Sequence, residues 1–338
     1  MTVATALTDP CCFHATLGTM LLDRFPEQDP ALVLGDSATT EAADSPDGPV
    51  FDHIATALSD SLHIRGHLVA ETDLRTEAGA AALHELLRRG TPLIAVADTY
   101  ALDHYWMDRG RNHALHAVLL RDYDPADGSV RLTDPMDATL HDGRTPLAAL
   151  DAALFAGPLS QSVLHVTAWA PTLTAEGEDH AARMPLHADS LAGPIGPELS
   201  GTALAASLAR RLDQVLMRMP LLARVDQEGV GQAERQQAVS LMLGLWGYHH
   251  RLRWFARYLR CVPVPEKARL DGAADLVERA AHDWLAVRTL LTRAGMSGPE
   301  QQGGYREEIT LRLTRIGELL EKAAARLRPS GQAGGCSR

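Results

Sequence analysis

The chain has 338 residues, 46% of them hydrophobic, with four cysteines and a net charge of −11. At roughly 100–200 residues per domain this length predicts two domains with ample cores; the lack of any apolar run of about 18 residues and of a basic, apolar leader predicts neither a membrane span nor a secretory signal. Four cysteines in so long a chain do not make a disulfide scaffold, which points to a reduced, cytoplasmic setting, and residues 1–170, with 24 acidic side chains against 10 arginines and no lysine, carry a net −14 that argues against a polynucleotide partner.

Residues 9–25, including "TDPCCFHATLGTMLL", read as a helix, followed by a polar loop, "GDSATTEAADSPDGP". "SLHIRGHLVA" has strand character, "TEAGAAALHELLRRG" has helical spacing with a glycine stop, and "TPLIAVADTYA" is a buried-strand run. "HALHAVLLRDYD" and "GSVRLTDP" form two strands around the turn signal "DPADG". "TPLAALDAALFAG" is a short helix and "QSVLHVTAWA" a last strand. Residues 1–170 are therefore predicted to form an α+β domain, a front helix with a mainly antiparallel sheet. Residues 171–197 lack periodicity and read as a linker. Helical stretches follow at about 198–219, 232–260, 268–295 and 305–328, with "MSGPEQQGG" as a break, so 198–330 read as an all-α domain, and 331–338 as a disordered tail. Residues 171–338 hold 19 acidic and 22 basic residues, a net +3. Their most basic run is "HHRLRWFARYLR", which fits either an acidic partner or a solvated helix face.

The paired thiols pose the chemical question. Asp9 is placed to cap the first helix and Pro10 to open it. Cys11 and Cys12 then fall in the first turn, where free N–H groups and the positive end of the helix dipole favour a thiolate. A buried, inert pair fits the same pattern. A nucleophilic thiol needs a base, and the base an orienting acceptor. His116 opens the first hairpin strand and Asp134 ends the second, so the turn brings them together over a spacing of 18 residues. His113 lies an odd number of residues away, on the opposite face of a strand. His14 turns away from Cys12 on the helix. His63 and His67 form an HxxxH pair without a third ligand of convincing spacing, so no metal site is assigned. His249–His250 reads as a helix-surface pair.

The order of a helix-borne cysteine, "GTPLIAVADTYALDHYWM" and "HAVLLRDYDPADGSVRLTDP" resembles the BtrH N-terminal family, the butirosin biosynthesis protein H-like acyltransferases, over about residues 10–170. The resemblance implies a papain-like, C39-like fold, a Cys-His-Asp triad, no cofactor, and transfer of an acyl group from an acyl- or peptidyl-carrier-protein thioester to a small-molecule amine in antibiotic biosynthesis. It places the nucleophile at Cys12, with Cys11 as the alternative, the base at His116 and the orienting carboxylate at Asp134. Asp98 and Tyr100 match residues that line the acceptor pocket, and Tyr105 joins them from the same aromatic-acidic loop. The chain departs from the pattern in having Asp122 where the family has glycine, and Ala6 where papain-like enzymes carry glutamine, which leaves the Cys12 N–H and an unassigned donor for an oxyanion. Arg251, Arg253 and Arg257 are the candidate carrier-docking residues. A thiol peptidase or amidase of the same fold, a non-catalytic carrier-binding module and a homo-oligomeric state are all compatible with these residues.

Overall fold

The computed structural model describes residues 9, 11–36, 42–43, 49–51, 67–111, 113–158, 161–173, 180–193, 198–220, 232–297 and 299–328. In chain order the elements are α1 (Cys12–Arg24), α2 (Ala31–Leu34), β1 (Ala42–Ala43), β2 (Val50–Phe51), β3 (Leu68–Asp73), α3 (Glu77–Arg88), β4 (Leu93–Asp98), β5 (Leu115–Asp124), β6 (Ser129–Asp134), β7 (His141–Pro146), α4 (Asp151–Phe155) and β8 (Ser162–Ala168). They continue as α5 (His180–Ala192), β9 (Glu198–Leu199), α6 (Gly201–Arg210), α7 (Leu212–Arg218), α8 (Gln232–Cys261), α9 (Lys267–Met296) and α10 (Pro299–Leu327). The chain divides into two compact units, Met1–Val33 with Ser59–Glu176, and Leu34–Leu58 with Gly177–Arg338.

The first unit is built on a six-stranded antiparallel sheet in the order β3-β8-β4-β5-β6-β7. β4 is buried at every residue, as its unbroken run "LIAVAD" requires of a central strand. In register, Ala97 faces His116 across β4–β5, and Leu120 faces Leu132 across β5–β6. Because side chains alternate, Ala95, Ala97, Val118, Leu120, Val130 and Leu132 share one face and one core with Leu83 and Leu87 of α3. α1 packs along β5, where the Thr16 hydroxyl donates to the Ala117 carbonyl at 3.1 Å.

The β5–β6 hairpin turns through Gly128 at φ 69° and carries a bulge between Arg121 and Asp124. Asp122 sits in that bulge at φ 52°, the left-handed region that glycine adopts without a Cβ penalty and that aspartate tolerates better than most residues.

α3 begins as its spacing predicts. Thr76 is the N-cap, its hydroxyl accepting the Gly79 N–H at 2.9 Å, and the following Gly90 adopts φ 73°. Thr76→Ala is expected to lower stability by about 1 kcal/mol, read as a lower urea midpoint at unchanged slope, while Thr76→Ser should restore most of it.

The second unit is helical, with α8, α9 and α10 packed in succession and α5 and α6 against α10. A small sheet in the order β2-β1-β9 ties Ala42–Ala43 and Val50–Phe51 into it. So does a close approach of Gly35 to the Trp254 carbonyl: a Cβ at residue 35 would stand 2.2 Å from that oxygen. The carboxylate of Asp36 meets the Arg183 guanidinium at 2.6 Å.

These contacts correct the expected domain boundaries. Residues 34–58 belong to the helical unit, and the expected linker 171–197 contains α5. Its buried His180, Met184, His187, Ala188 and Leu191 keep helical spacing, but two of the five are histidines and Pro185 stands inside the helix, so the hydropathy signal is weak. α1 starts at Cys12 rather than at Pro10, α10 starts within the expected break at Pro299, and β7 was not anticipated. The upstream part of "SLHIRGHLVA", Pro10 and the tail 331–338 lie outside the described residues. No helix among the described residues is long and apolar enough to cross a membrane.

Candidate active site

Cys11 is the N-cap of α1 and Cys12 its first helical residue. The Asp9 carboxylate turns back to accept the Cys11 N–H at 2.8 Å rather than capping the helix, and Asp9 forms a parallel bridge with Met136, just beyond β6. This bridge anchors the start of α1 beside the end of β6. It also separates the two thiols. Cys11 is buried, and burial together with the charges of Cys12 and Asp9 pushes its thiol well above the ordinary range. Cys12 is partly exposed and close enough to His116 to act on the charge of its ring.

His116, near the start of β5, is 2% exposed. Its Nε2–H donates to Asp134 Oδ2 at 2.8 Å, which leaves Nδ1 for the thiol. The hairpin register sets this contact: Leu119 pairs with Thr133, so His116 and Asp134 project from the same face near one end of the ladder. Burial opposes a charge on the His116 ring, but the neighbouring Cys12 and the Asp134 carboxylate hydrogen-bonded to the ring outweigh it and hold the pKa up at about 10. Burial likewise opposes the charge of Asp134, yet hydrogen bonds from His104, His116 and Thr139 keep its carboxyl below the usual range. The Tyr105 ring covers His116 at 4.5 Å between centroids, and burial, with the charges of Asp108, Cys12 and Asp134, keeps its phenol protonated.

Cys12, His116 and Asp134, separated by 104 and 18 positions in the chain, thus lie together, with His116 and Asp134 in direct contact. Two further groups on Asp134 escaped the sequence reading. His104 Nε2 lies 3.0 Å from Oδ2, and the Thr139 hydroxyl donates to the same oxygen at 2.7 Å. Thr139 lies in the turn after "LTDP", where a hydroxyl five residues on can reach back; His104 lies in an irregular loop that offers no periodicity to read.

The other expected site residues are distributed differently. Asp98 is buried and already engaged, its Oδ2 accepting from His113 Nδ1 at 2.7 Å and its Oδ1 from the Tyr100 N–H at 3.0 Å. It is not an open ammonium site. Tyr100 is exposed, but its ring stacks on His113 at 4.4 Å. Tyr105 packs on the candidate base instead of lining a polar pocket.

In the helical unit Arg251 is 4% exposed, which removes it from any docking surface, while Arg253 and Arg257 are exposed on α8. Trp254, Phe255 and Tyr258 are core residues. His249 and His250 are buried as well, contrary to the surface reading; His249 Nδ1–H donates to the Ala281 carbonyl at 2.8 Å. His67 is buried and accepts the Ala170 N–H at 3.0 Å, while His63 lies outside the described residues. A scan against protein-family models and a search of curated proteins both found no match for this chain.

Proposed function

We propose that the chain is a cysteine-dependent acyltransferase of papain-like, C39-like type, similar to the BtrH N-terminal family, that moves an acyl group from a carrier-protein thioester to a small-molecule amine in the cytoplasm. The observation that supports this reading above all others is the partly exposed Cys12 at the start of α1, beside a buried His116 that is itself hydrogen-bonded to a buried Asp134. A nucleophile, a base and an orienting acceptor in that order are what acyl transfer requires.

His116 takes the proton from the Cys12 thiol, giving a thiolate beside an imidazolium. The Cys12 sulfur attacks the thioester carbonyl, and the Cys12 N–H, free at the start of the helix, donates to the oxyanion. The carbon–sulfur bond to the carrier breaks, and the departing carrier thiolate takes the proton from His116. A neutral amine then attacks the acyl-enzyme. His116 accepts the amine proton, the carbon–nitrogen bond forms, and the Cys12 thiolate leaves to restore the ion pair. Asp134 fixes the His116 tautomer and balances its positive form throughout. Exposure to acyl thioesters followed by intact mass measurement tests the reading: an acyl adduct lost in Cys12→Ala is expected, and its absence in the wild-type chain overturns it.

Carrier proteins are usually acidic, and Arg253 and Arg257 present two positive charges one turn apart on α8. Replacing both by Glu is expected to lower turnover of carrier-borne substrate about tenfold, with small thioesters unaffected. Equal loss on both substrates would remove the docking assignment.

A further inference from the structure

Asp134 receives its donors unevenly. Oδ1 takes one, the Met136 N–H at 3.2 Å, while Oδ2 takes three, from Thr139 at 2.7 Å, His116 at 2.8 Å and His104 at 3.0 Å. A carboxylate oxygen has two lone pairs. Every donor added to it stabilises the anion and draws charge from the bonds it already makes. His104 and Thr139 therefore compete with His116 for the one oxygen that orients the candidate base.

Nothing in the triad chemistry needs a second imidazole there. His104 is nearly buried, and its ring stacks on that of His141 at 4.7 Å and 22°. His141 stands directly across the ladder from Asp134 on β7, and burial and the neighbouring His104 lower its pKa. The stack fixes the His104 ring in place on the carboxylate.

Resting on the acyltransferase reading, we propose that His104 is a positioning residue which, with Thr139, weakens the hold of Asp134 on the His116 proton so that His116 becomes a free base once Cys12 is acylated. Once Cys12 has given up its proton, two anions, Cys12 and Asp134, face the His116 imidazolium. Acylation removes the first. An undivided Asp134 charge would still keep the ring protonated and unable to accept a proton from the amine. Sharing Oδ2 among three donors reduces that charge while keeping the carboxylate in line with Nε2. The groups that face His116 are Cys12 from α1, Asp134 from β6 and the Tyr105 phenol from the loop after β4; behind them lie His104, His141 on β7, Asp108 beside Tyr105 and Asp142 beside His141.

Imidazole nitrogen NMR of the full chain reads the His116 titration directly, with His116→Gln used for assignment. In His104→Phe, which keeps a ring to stack on His141 but has no N–H, the His116 midpoint is expected to move upward by about half a pH unit, the scale of one redistributed charge-assisted hydrogen bond. Thr139→Val, which removes the other competing donor with little change of shape, should move it in the same direction. His104→Gln keeps a neutral N–H donor and should return the midpoint to the wild-type value. Loss of packing alone would weaken the His116–Asp134 bond and move the midpoint down. An unmoved or lowered midpoint in His104→Phe or Thr139→Val, or a rise in His104→Gln as large as in His104→Phe, overturns the proposal. Cys12→Ser separates the two ideas: if it leaves the wild-type midpoint unmoved, the thiol–imidazole reading fails, and the His104 comparison still stands.

Discussion

Cys12→Ala is expected to abolish acyl-enzyme formation and to lower thioester turnover by a factor of about 10⁵ or more, as removal of a triad nucleophile does, while Cys11→Ala keeps both. The two positions are adjacent, so an effect spread through the start of α1 would strike both variants alike. The structure separates them by environment. Cys11 is buried, with burial and the neighbouring charges of Cys12 and Asp9 pressing its thiol toward the protonated form; Cys12 is partly exposed and lies beside His116. Peptide-resolved alkylation with iodoacetamide at neutral pH gives a second reading without any substrate, and Cys12 should label much faster than Cys11. An acyl adduct that survives Cys12→Ala and disappears in Cys11→Ala would reassign the nucleophile.

Asp134→Asn is expected to lower turnover by about 10⁴, the loss seen when a triad carboxylate becomes an amide and the wrong tautomer is held. Asparagine keeps the shape of Asp134 but not its charge. A buried imidazolium would then lose its anionic hydrogen-bond partner, and three donors that now converge on one carboxylate oxygen would meet an amide. The same variant should be less stable by about 3–5 kcal/mol at neutral pH, since breaking a buried pair leaves its partner uncompensated. The pH dependence gives a second check. The raised pKa of His116 adds stability that is full below its unfolded value of about 6.5 and is lost as pH rises through about 10. The lowered pKa of Asp134 adds stability present above about 3.9 and lost as pH falls toward its folded value. Denaturant unfolding of the wild-type chain should therefore weaken from pH 7 to 10, and the Asn variant should show a shallower decline. Parallel declines in the two would mean that Asp134 does not hold the His116 proton.

Much of the first unit was legible because its signals are local. The unbroken apolar run of β4, the "DPADG" turn between β5 and β6, and the helical spacing of α3 with its Gly90 stop each specify an element within about ten residues. The pairing of His116 with Asp134 was legible for the same reason, since a tight hairpin converts a spacing into a contact. The front helix was placed two residues early because Asp9 and Pro10 match a capping pattern, whereas in the fold Asp9 turns its carboxylate to the Cys11 N–H and bridges to Met136. α5 was read as linker because its buried face includes two histidines, which hydropathy counts as polar. The same blindness put His249 and His250 on a surface and gave Arg251 a docking role: helical spacing identifies a stripe but does not say how wide the buried arc is.

By itself, the sequence determined the α+β and then α order, the hairpin that joins base to carboxylate, and a pair of candidate thiols. Only the tertiary structure distinguished those thiols by burial, buried Asp98 and Arg251, and brought His104 and Thr139 to the carboxylate of Asp134. The reason is one of range. Turn and periodicity signals act between neighbours in the chain, while burial and the number of donors on one oxygen depend on segments such as Asp9 and Met136, or His104 and Asp134, that meet only when the sheet has formed.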